Sequence, residues 1–469
     1  MITTSNIVDY LRAGFPVLWI KTNEHERVER EVKPLIEAFN NGYFKCSNWN
    51  LIDNKDPMTA ILSLTDTPSE SVLFAFNFHW FVDKPPIIQA IKNAMPIWAS
   101  SSKHLVIVSH TVQVPPELEK DVLVLDMALI ATKEIEETIN YIADGPFAPS
   151  KKDLPKIIEA SRGLTRKELE NVYSLSLVQN HKLDTATIND FKGQTISKSG
   201  YLKVLKSKKS FDNILGYQEV KDQIMQTIDN PNAKGIMMIG PPGTGKTSLA
   251  EAISNETGKL GIVVDMGKLF SKFIGDTDKN VDFAINTISS IGNCFVLIDE
   301  FEKQFAGASG EGSGDSGVTK RALAKWLNFL ENRPQGVYIA ATANSFDGIP
   351  PEYLRPGRWD TAPFYIDLPS DSTRLLILEH YSKGKVKASK EELKKLNKEL
   401  ENFSGAEVEA LVNVASMRNL PLIKAKKFII PVAQTMSDKI NHIRAWAKVN
   451  CVAADKDIAA TINRKLILN

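Results

Sequence analysis

Gly240-Pro241-Pro242-Gly243-Thr244-Gly245-Lys246-Thr247 satisfies GxxxxGK[ST] at every fixed position. The apolar run 236–239 (IMMI) precedes it and the helix-like stretch 248–257 follows it, which is the strand–loop–helix context the pattern needs. Glycines let successive backbone N–H groups wrap around phosphate, and the N-terminus of the next helix adds its dipole. Pro242, Gly243, Thr244, Gly245 and Ser248 therefore belong to a phosphate cradle, with Lys246 placed to contact β and γ phosphates and the Thr247 hydroxyl to sit on magnesium.

A second signal follows at 295–300 (FVLIDE), where four apolar residues end in two carboxylates. In an open parallel sheet, ligands bind at the strand's C-terminal end. Asp299 is expected to orient magnesium and Glu300 to polarise the attacking water. Alone, an apolar run ending in two acids is a common strand exit; beside a P-loop it reads as a catalytic pair.

Working outward, 262–265, 337–341 and 364–366 read as further strands separated by helix-length segments, and 374–469 is mostly helical. The region before the P-loop repeats this plan. Buried strands are expected at 17–20, 72–78, 105–108 and 122–125, with helices at 24–39 and 86–99 between them. The pattern turns helical at 154–180, broken at 161–165 (SRGLT), and 192–210 is polar, Lys-rich and Gly-interrupted, as in a linker. The expected organisation is α/β at 1–145, helices at 146–191, a linker at 192–210, α/β at 211–369 and a helical lid at 370–469.

Composition bounds the partners. Fifty-seven Lys and Arg against 56 Asp and Glu leave no uniform field for nucleic acid or an anionic membrane. Cys46, Cys294 and Cys451 are widely separated with no metal-ligand spacing, as expected in a reducing compartment. Cys294, inside an apolar run, reads as a small buried hydrophobe. Neither a signal peptide nor a membrane span is read from the sequence, so a cytoplasmic or equivalent space such as plastid stroma is expected.

With these motifs in order, the segment 211–414 resembles the AAA family of P-loop ATPases. That resemblance implies ATP/ADP with Mg2+ as cofactors and a helical lid over the nucleotide. Asn344, in Ala341-Thr342-Ala343-Asn344, matches the sensor motif and would position water with Glu300. The segment 354–360 (LRPGRWD) resembles the arginine-finger region, with Trp359 where Phe is usual; Arg355 and Arg358 would reach a neighbouring subunit's γ phosphate. Fingers supplied in trans imply a ring, by family default a hexamer. Gly216 and Tyr217 lie where the adenine pocket begins, and Gly405 and Ala406 resemble the lid motif. His380, one residue off the family spacing, reads equally as a ribose contact or a surface histidine.

Phe273, Ile274 and Gly275 resemble the family's first pore loop, and 307–317 matches the place of the second. An aromatic facing a channel can grip an extended polypeptide without reading its sequence. The first region lacks phosphate-binding glycines after 17–20 and an Asp-Glu pair after 72–78, so it reads as a degenerate AAA-like module in which His25, His79 and Asp83 are isolated surface or capping groups. Together with 164–171 (LTRKELEN) and 444–447 (RAWA), the layout resembles a conserved-reading-frame AAA subfamily of plastids and cyanobacteria. The expected function is ATP-driven remodelling of a protein client. Two other readings stand beside it: a nucleic-acid motor using Lys203, Lys206, Lys208 and Lys209 as a phosphate strip, and a nucleotide-switched scaffold.

Overall fold

The structure is a computed structural model that describes residues 4–52, 56–128, 130–197, 199–228, 230–270, 277–305, 316–355 and 357–455. Its contacts divide the chain into two compact units, 1–148 with 164–177, and 149–163 with 178–469.

The first unit is built on a five-stranded parallel sheet in the order β2-β3-β4-β1-β5: β1 (Val17–Lys21), β2 (Lys45–Trp49), β3 (Ser71–Phe76), β4 (His104–Ser109) and β5 (Val122–Asp126). Residues alternate between two hydrophobic cores. Trp19, Leu73 and Leu105 face one, while Leu18, Phe74 and Val106 face the other. Burial on both faces explains why β1, β3 and β4 read as continuous apolar runs. The strand at β2 (KCSNW) is largely polar, as suits an edge.

The second unit holds a seven-stranded sheet in the order β12-β11-β7-β10-β9-β8-β6. Its members are β6 (Leu202–Val204), β7 (Gly235–Ile239), β8 (Leu260–Val264), β9 (Cys294–Ile298), β10 (Tyr338–Ala343), β11 (Phe364–Tyr365) and β12 (Val452–Ala453). All pairings are parallel except β6 with β8. Taken in chain order, the central strands β8-β9-β10-β7-β11 reproduce the second-third-fourth-first-fifth arrangement of the first unit's sheet. The two α/β parts thus share one topology, although only one carries the phosphate motifs.

Two expectations are corrected. The segment 192–210 is not a free linker: the helix Thr185–Ser197 occupies its start, and β6 then pairs antiparallel with β8, burying Leu202 completely. Ile196 and Leu202 enter the core, and Tyr201 and Val204 pack against it, so a few well-placed apolar residues anchor a segment whose composition is otherwise polar. Nor does the lid run uninterrupted to the C-terminus. The helical cluster built on Leu378, Leu411 and Val412 forms the lid core. The helix Ser437–Asn450 instead puts Ile443 and Ala447 into the core of the α/β sheet, and β12 extends that sheet by pairing with β11. Periodicity reports that a helix is amphipathic, not which layer it joins.

Candidate nucleotide site

The loop after β7 closes on itself in the way its glycines require. Gly243 and Gly245 hold φ of 79° and 89°, a left-handed backbone that favours glycine. A Cβ on Gly240 would stand 1.9 Å from the Ile366 carbonyl oxygen, so β11 packs directly against the loop's start. The helix Lys246–Thr257 begins immediately after Gly245, directing its N-terminal N–H groups at the loop.

Lys246 is buried and donates to the Gly240 and Pro241 carbonyls, both at 2.8 Å. Burial pushes its ammonium down to about 8, against the opposing pull of Glu302, Asp299 and Glu300. The Thr247 hydroxyl donates to Asp299 Oδ1 at 2.9 Å. Thr342 donates to the same oxygen from the neighbouring strand and accepts from the Glu300 backbone N–H at 3.2 Å. Glu300 itself adopts φ of 52°, uncommon for a residue with a side chain, and its carboxylate pairs with Lys303 at 2.5 Å. The Asn344 backbone N–H donates to Glu302 Oε1 at 3.1 Å.

Of these groups, Lys246, Thr247, Asp299, Glu300, Thr342 and Asn344 line one cavity of about 410 Å3. It gathers Tyr217, the 242–248 loop, Asp299, Glu300 and Asn344 from the α/β core, and His380, Gly405 and Ala406 from the lid. The lid reaches the loop directly, because Ala406 N donates to the Gly243 carbonyl at 3.1 Å and a capping box between Ser404 and Glu407 fixes that helix start. Tyr217, left-handed at φ 61°, donates its hydroxyl to the Thr244 carbonyl, and Gly216 precedes it at φ 82°. The donor set suits Mg2+ brought in with phosphates, which needs only one or two protein carboxylates: Asp299 Oδ1 already holds the Thr247 hydroxyl beside it.

Of the other residues singled out from sequence, Arg355 is exposed away from this cavity, whereas Arg358 pairs with Glu331 at 3.0 Å within its own chain. Phe273, Ile274, Gly275 and residues 307–315 of the second pore-loop segment 307–317 lie outside the described residues. Sequence reasoning missed Thr342, Glu302, Ile377, Tyr381 and Glu409. Thr342 was legible in principle, standing two residues before Asn344 on the strand beside Asp299. Ile377, His380 and Tyr381 share one helical face, but nothing local says what that face covers.

In the first unit the equivalent loop after β1 is acidic. Glu24 and Glu31 flank the buried Arg27, at 3.4 and 2.7 Å, and Glu24 Oε1 accepts from the Arg166 N–H at 2.9 Å. Burial raises the Glu24 carboxyl, with the Arg166 backbone N–H and Arg27 opposing. A carboxylate thus sits at a helix start where phosphate would need to approach. His25 and His79, expected from sequence to be isolated, are not. The His79 and His110 rings lie 5.1 Å apart; burial first and His110 second push both His25 and His79 down.

Comparison with known proteins accords with this geometry. Residues 236–364 match the model of the ATPase family associated with various cellular activities (AAA). The chain carries an AAA ATPase domain. Ahead of the AAA domain, residues 3–127 and 132–199 match the N-terminal and second domains of SpoVK-like AAA ATPases. The AAA domain-containing protein ycf46 of Guillardia theta is 27% identical over 474 residues, covering 93% of each chain. The cell division cycle protein 48 homolog of Archaeoglobus fulgidus is 32% identical over 222 residues, 44% of this chain and 30% of the relative. The ATP-dependent zinc metalloprotease FtsH 3 of Symbiobacterium thermophilum is 29% identical over 270 residues, 54% of this chain and 42% of the relative. The AAA domain makes this chain an ATPase, and the family binds ATP and ADP. No helix among the described residues is long and apolar enough to cross a membrane.

Proposed function

We propose that the AAA domain hydrolyses ATP with Mg2+ in a ring of like subunits, a hexamer, and uses the energy to remodel a protein client. The observation that carries the chemistry is Asp299 Oδ1 held by Thr247 and Thr342, with Glu300 one residue beyond. Asp299 and Thr247 would hold the ion, which supplies charge neutralisation on the phosphates. Lys246 would leave its two carbonyls for the β and γ phosphates. Glu300 would accept the proton of the attacking water, with Asn344 aligning it. Gly405 and Ala406 would close the lid, excluding competing water.

The exposed Arg355 is free to serve as the finger in trans, whereas Arg358 must first leave Glu331. A protein client is favoured over nucleic acid by the state of the lysine strip. Lys203 pairs with Asp265, Lys206 with Asp190 and Lys209 with Glu251, so three of its four charges are already countered. The relative named as an ATP-dependent metalloprotease adds an AAA domain already partnered with protein chemistry. We place the protein in a soluble compartment, cytoplasm or plastid stroma, with Phe273, Ile274 and Gly275 as its pore contact.

ATP turnover and particle mass, measured together on wild type, Glu300→Gln and Phe273→Ala, test this reading. Assembly near six chains with ATP is expected, turnover is lost in Glu300→Gln, and Phe273→Ala hydrolyses without moving a client. A chain that stays monomeric with ATP and does not turn over would leave a nucleotide-binding scaffold as the better account.

A further inference from the structure

Lys192 lies on the helix Thr185–Ser197 and is only 4% exposed. Among the described residues its ammonium has no hydrogen-bond or ion-pair partner. The carboxylate that pulls on it, Glu159, is taken by Arg162 at 3.0 Å. The Lys192 side chain is buried, but its ammonium is not among the fully enclosed polar atoms that lack a partner, so it keeps contact with solvent, at a cost in lost hydration that a bound counterion would offset. Burial pushes this one down to about 8, against Cys294 and Glu159.

The surroundings supply a reason for the missing partner. Lys192 lines a cavity of about 800 Å3 together with three further cations, Lys156, Arg162 and Lys259, and a single carboxylate, Glu159. Thr185 and Asn293 are among the neutral hydrogen-bonding groups of the same wall. Its floor is formed by residues that immediately precede β8, β9 and β10. This is the opposite end of the sheet from Gly243 and Asp299, and no lining residue is shared with the nucleotide cavity. An excess of positive charge, a buried lysine lacking its counterion, and room for more than a water cluster converge on one ligand chemistry.

We propose that this cavity binds a small phosphate-bearing anion, with Lys192 as the buried contact and Lys156, Arg162 and Lys259 flanking it. Desolvation strengthens the central contact, because a phosphate facing a partly desolvated ammonium meets a lower effective dielectric than one at the surface. The site is separate from the ATPase reading and stands whether or not a ring forms. Two sources share this chemistry: free inorganic phosphate and the phosphoryl group of a larger organic monoester.

The test is calorimetric titration of the full chain, saturated with ADP and Mg2+ so that the P-loop is filled, with inorganic phosphate and separately with ribose 5-phosphate. Saturable binding is expected for at least one probe, and the tighter of the two identifies the source. Lys192→Met should weaken that binding at least tenfold while leaving ADP affinity unchanged. Without the probe, Lys192→Met should melt at or above the wild-type temperature, because it removes a charge that has lost hydration without gaining a partner. Affinity in the wild type should fall as pH rises through about 8, where the ammonium is lost. Should Lys192→Met fail to fold, the rim variant Lys156→Ala/Arg162→Ala carries the test, with severalfold weaker binding expected. Absence of binding of either probe at millimolar concentration, or unchanged binding in the variants, would overturn the proposal.

Discussion

The indole of Trp446 lies flat on the phenyl ring of Phe346, with centroids 4.2 Å apart and planes 6° from parallel. Phe346 follows Asn344 by two residues, so the stack ties the C-terminal helix to the loop that carries the sensor. On the same helix Arg444 grips both oxygens of Asp367 at 2.9 to 3.2 Å, and His442 stands 3.3 Å from Asp347. Beyond that helix, Asp455 accepts from the Tyr217 N–H at 3.4 Å.

Trp446→Ala should therefore lower turnover about tenfold by loosening the sensor loop, while ADP affinity stays within about twofold of wild type. Trp446→Phe, which keeps a stacking partner, should recover most of the loss. Steady-state turnover beside equilibrium ADP binding checks this; an equal loss in both would mean that the helix only stabilises the fold.

Thr342→Val keeps the shape of the strand but removes the hydroxyl shared by Asp299 and the Glu300 N–H. A buried donor left without its acceptor costs about 1–3 kcal/mol, and turnover should fall about tenfold or more. Thr342→Ser should retain activity. Single-turnover hydrolysis distinguishes a defect in chemistry from one in nucleotide uptake.

Arg355→Ala should reduce turnover by about 10³-fold if its guanidinium neutralises transition-state charge in a neighbour, with ADP binding preserved. Mixing Arg355→Ala with Glu300→Gln chains should restore part of the activity, since some interfaces then pair an intact Glu300 with an intact Arg355. No recovery at any mixing ratio would rule out the trans arrangement.

The first unit should lose stability as pH falls. His25, His79 and the fully buried His104 all have folded values lowered mainly by burial, so below the ordinary value of about 6.5 the unfolded chain takes up protons first. Their stabilising effect is complete above that value and is lost progressively beneath it. Thermal melts between pH 7.5 and 5 should show a declining transition for this unit. The decline should be shallower in His79→Gln, which removes one member of the cluster; a pH-independent transition would show that the histidines stay solvated.

The glycine-rich loop after β7 and the Asp299-Glu300 pair after β9 were legible because each is a local pattern: a loop that folds back on itself needs glycines at fixed spacing, and a strand buried on both faces must end abruptly in its carboxylates. Strands such as β1, β4 and β9 were equally plain. The edge strands β2 and β6 were hidden because β2 is largely polar, as an edge allows, and β6 is only three residues long. The histidine cluster was hidden for a different reason. His25, His79 and His110 follow β1, β3 and β4, and only the order of strands in the sheet makes those three positions neighbours. The role of Arg444 and Trp446 likewise depends on where a helix returns, which its own periodicity does not record.

The outermost strands of the larger sheet, β6 and β12, come from chain segments on either side of 211–369, and each caps one margin with only three or two residues. A recombinant fragment trimmed to 211–369 would leave β8 and β11 with rows of unsatisfied amides and carbonyls facing solvent, a template for strand-to-strand aggregation. Soluble particles formed by such a fragment would then owe their size to sticky margins rather than to subunit interfaces. The shortest version fit for biophysics begins before Leu202 and ends after Ala453.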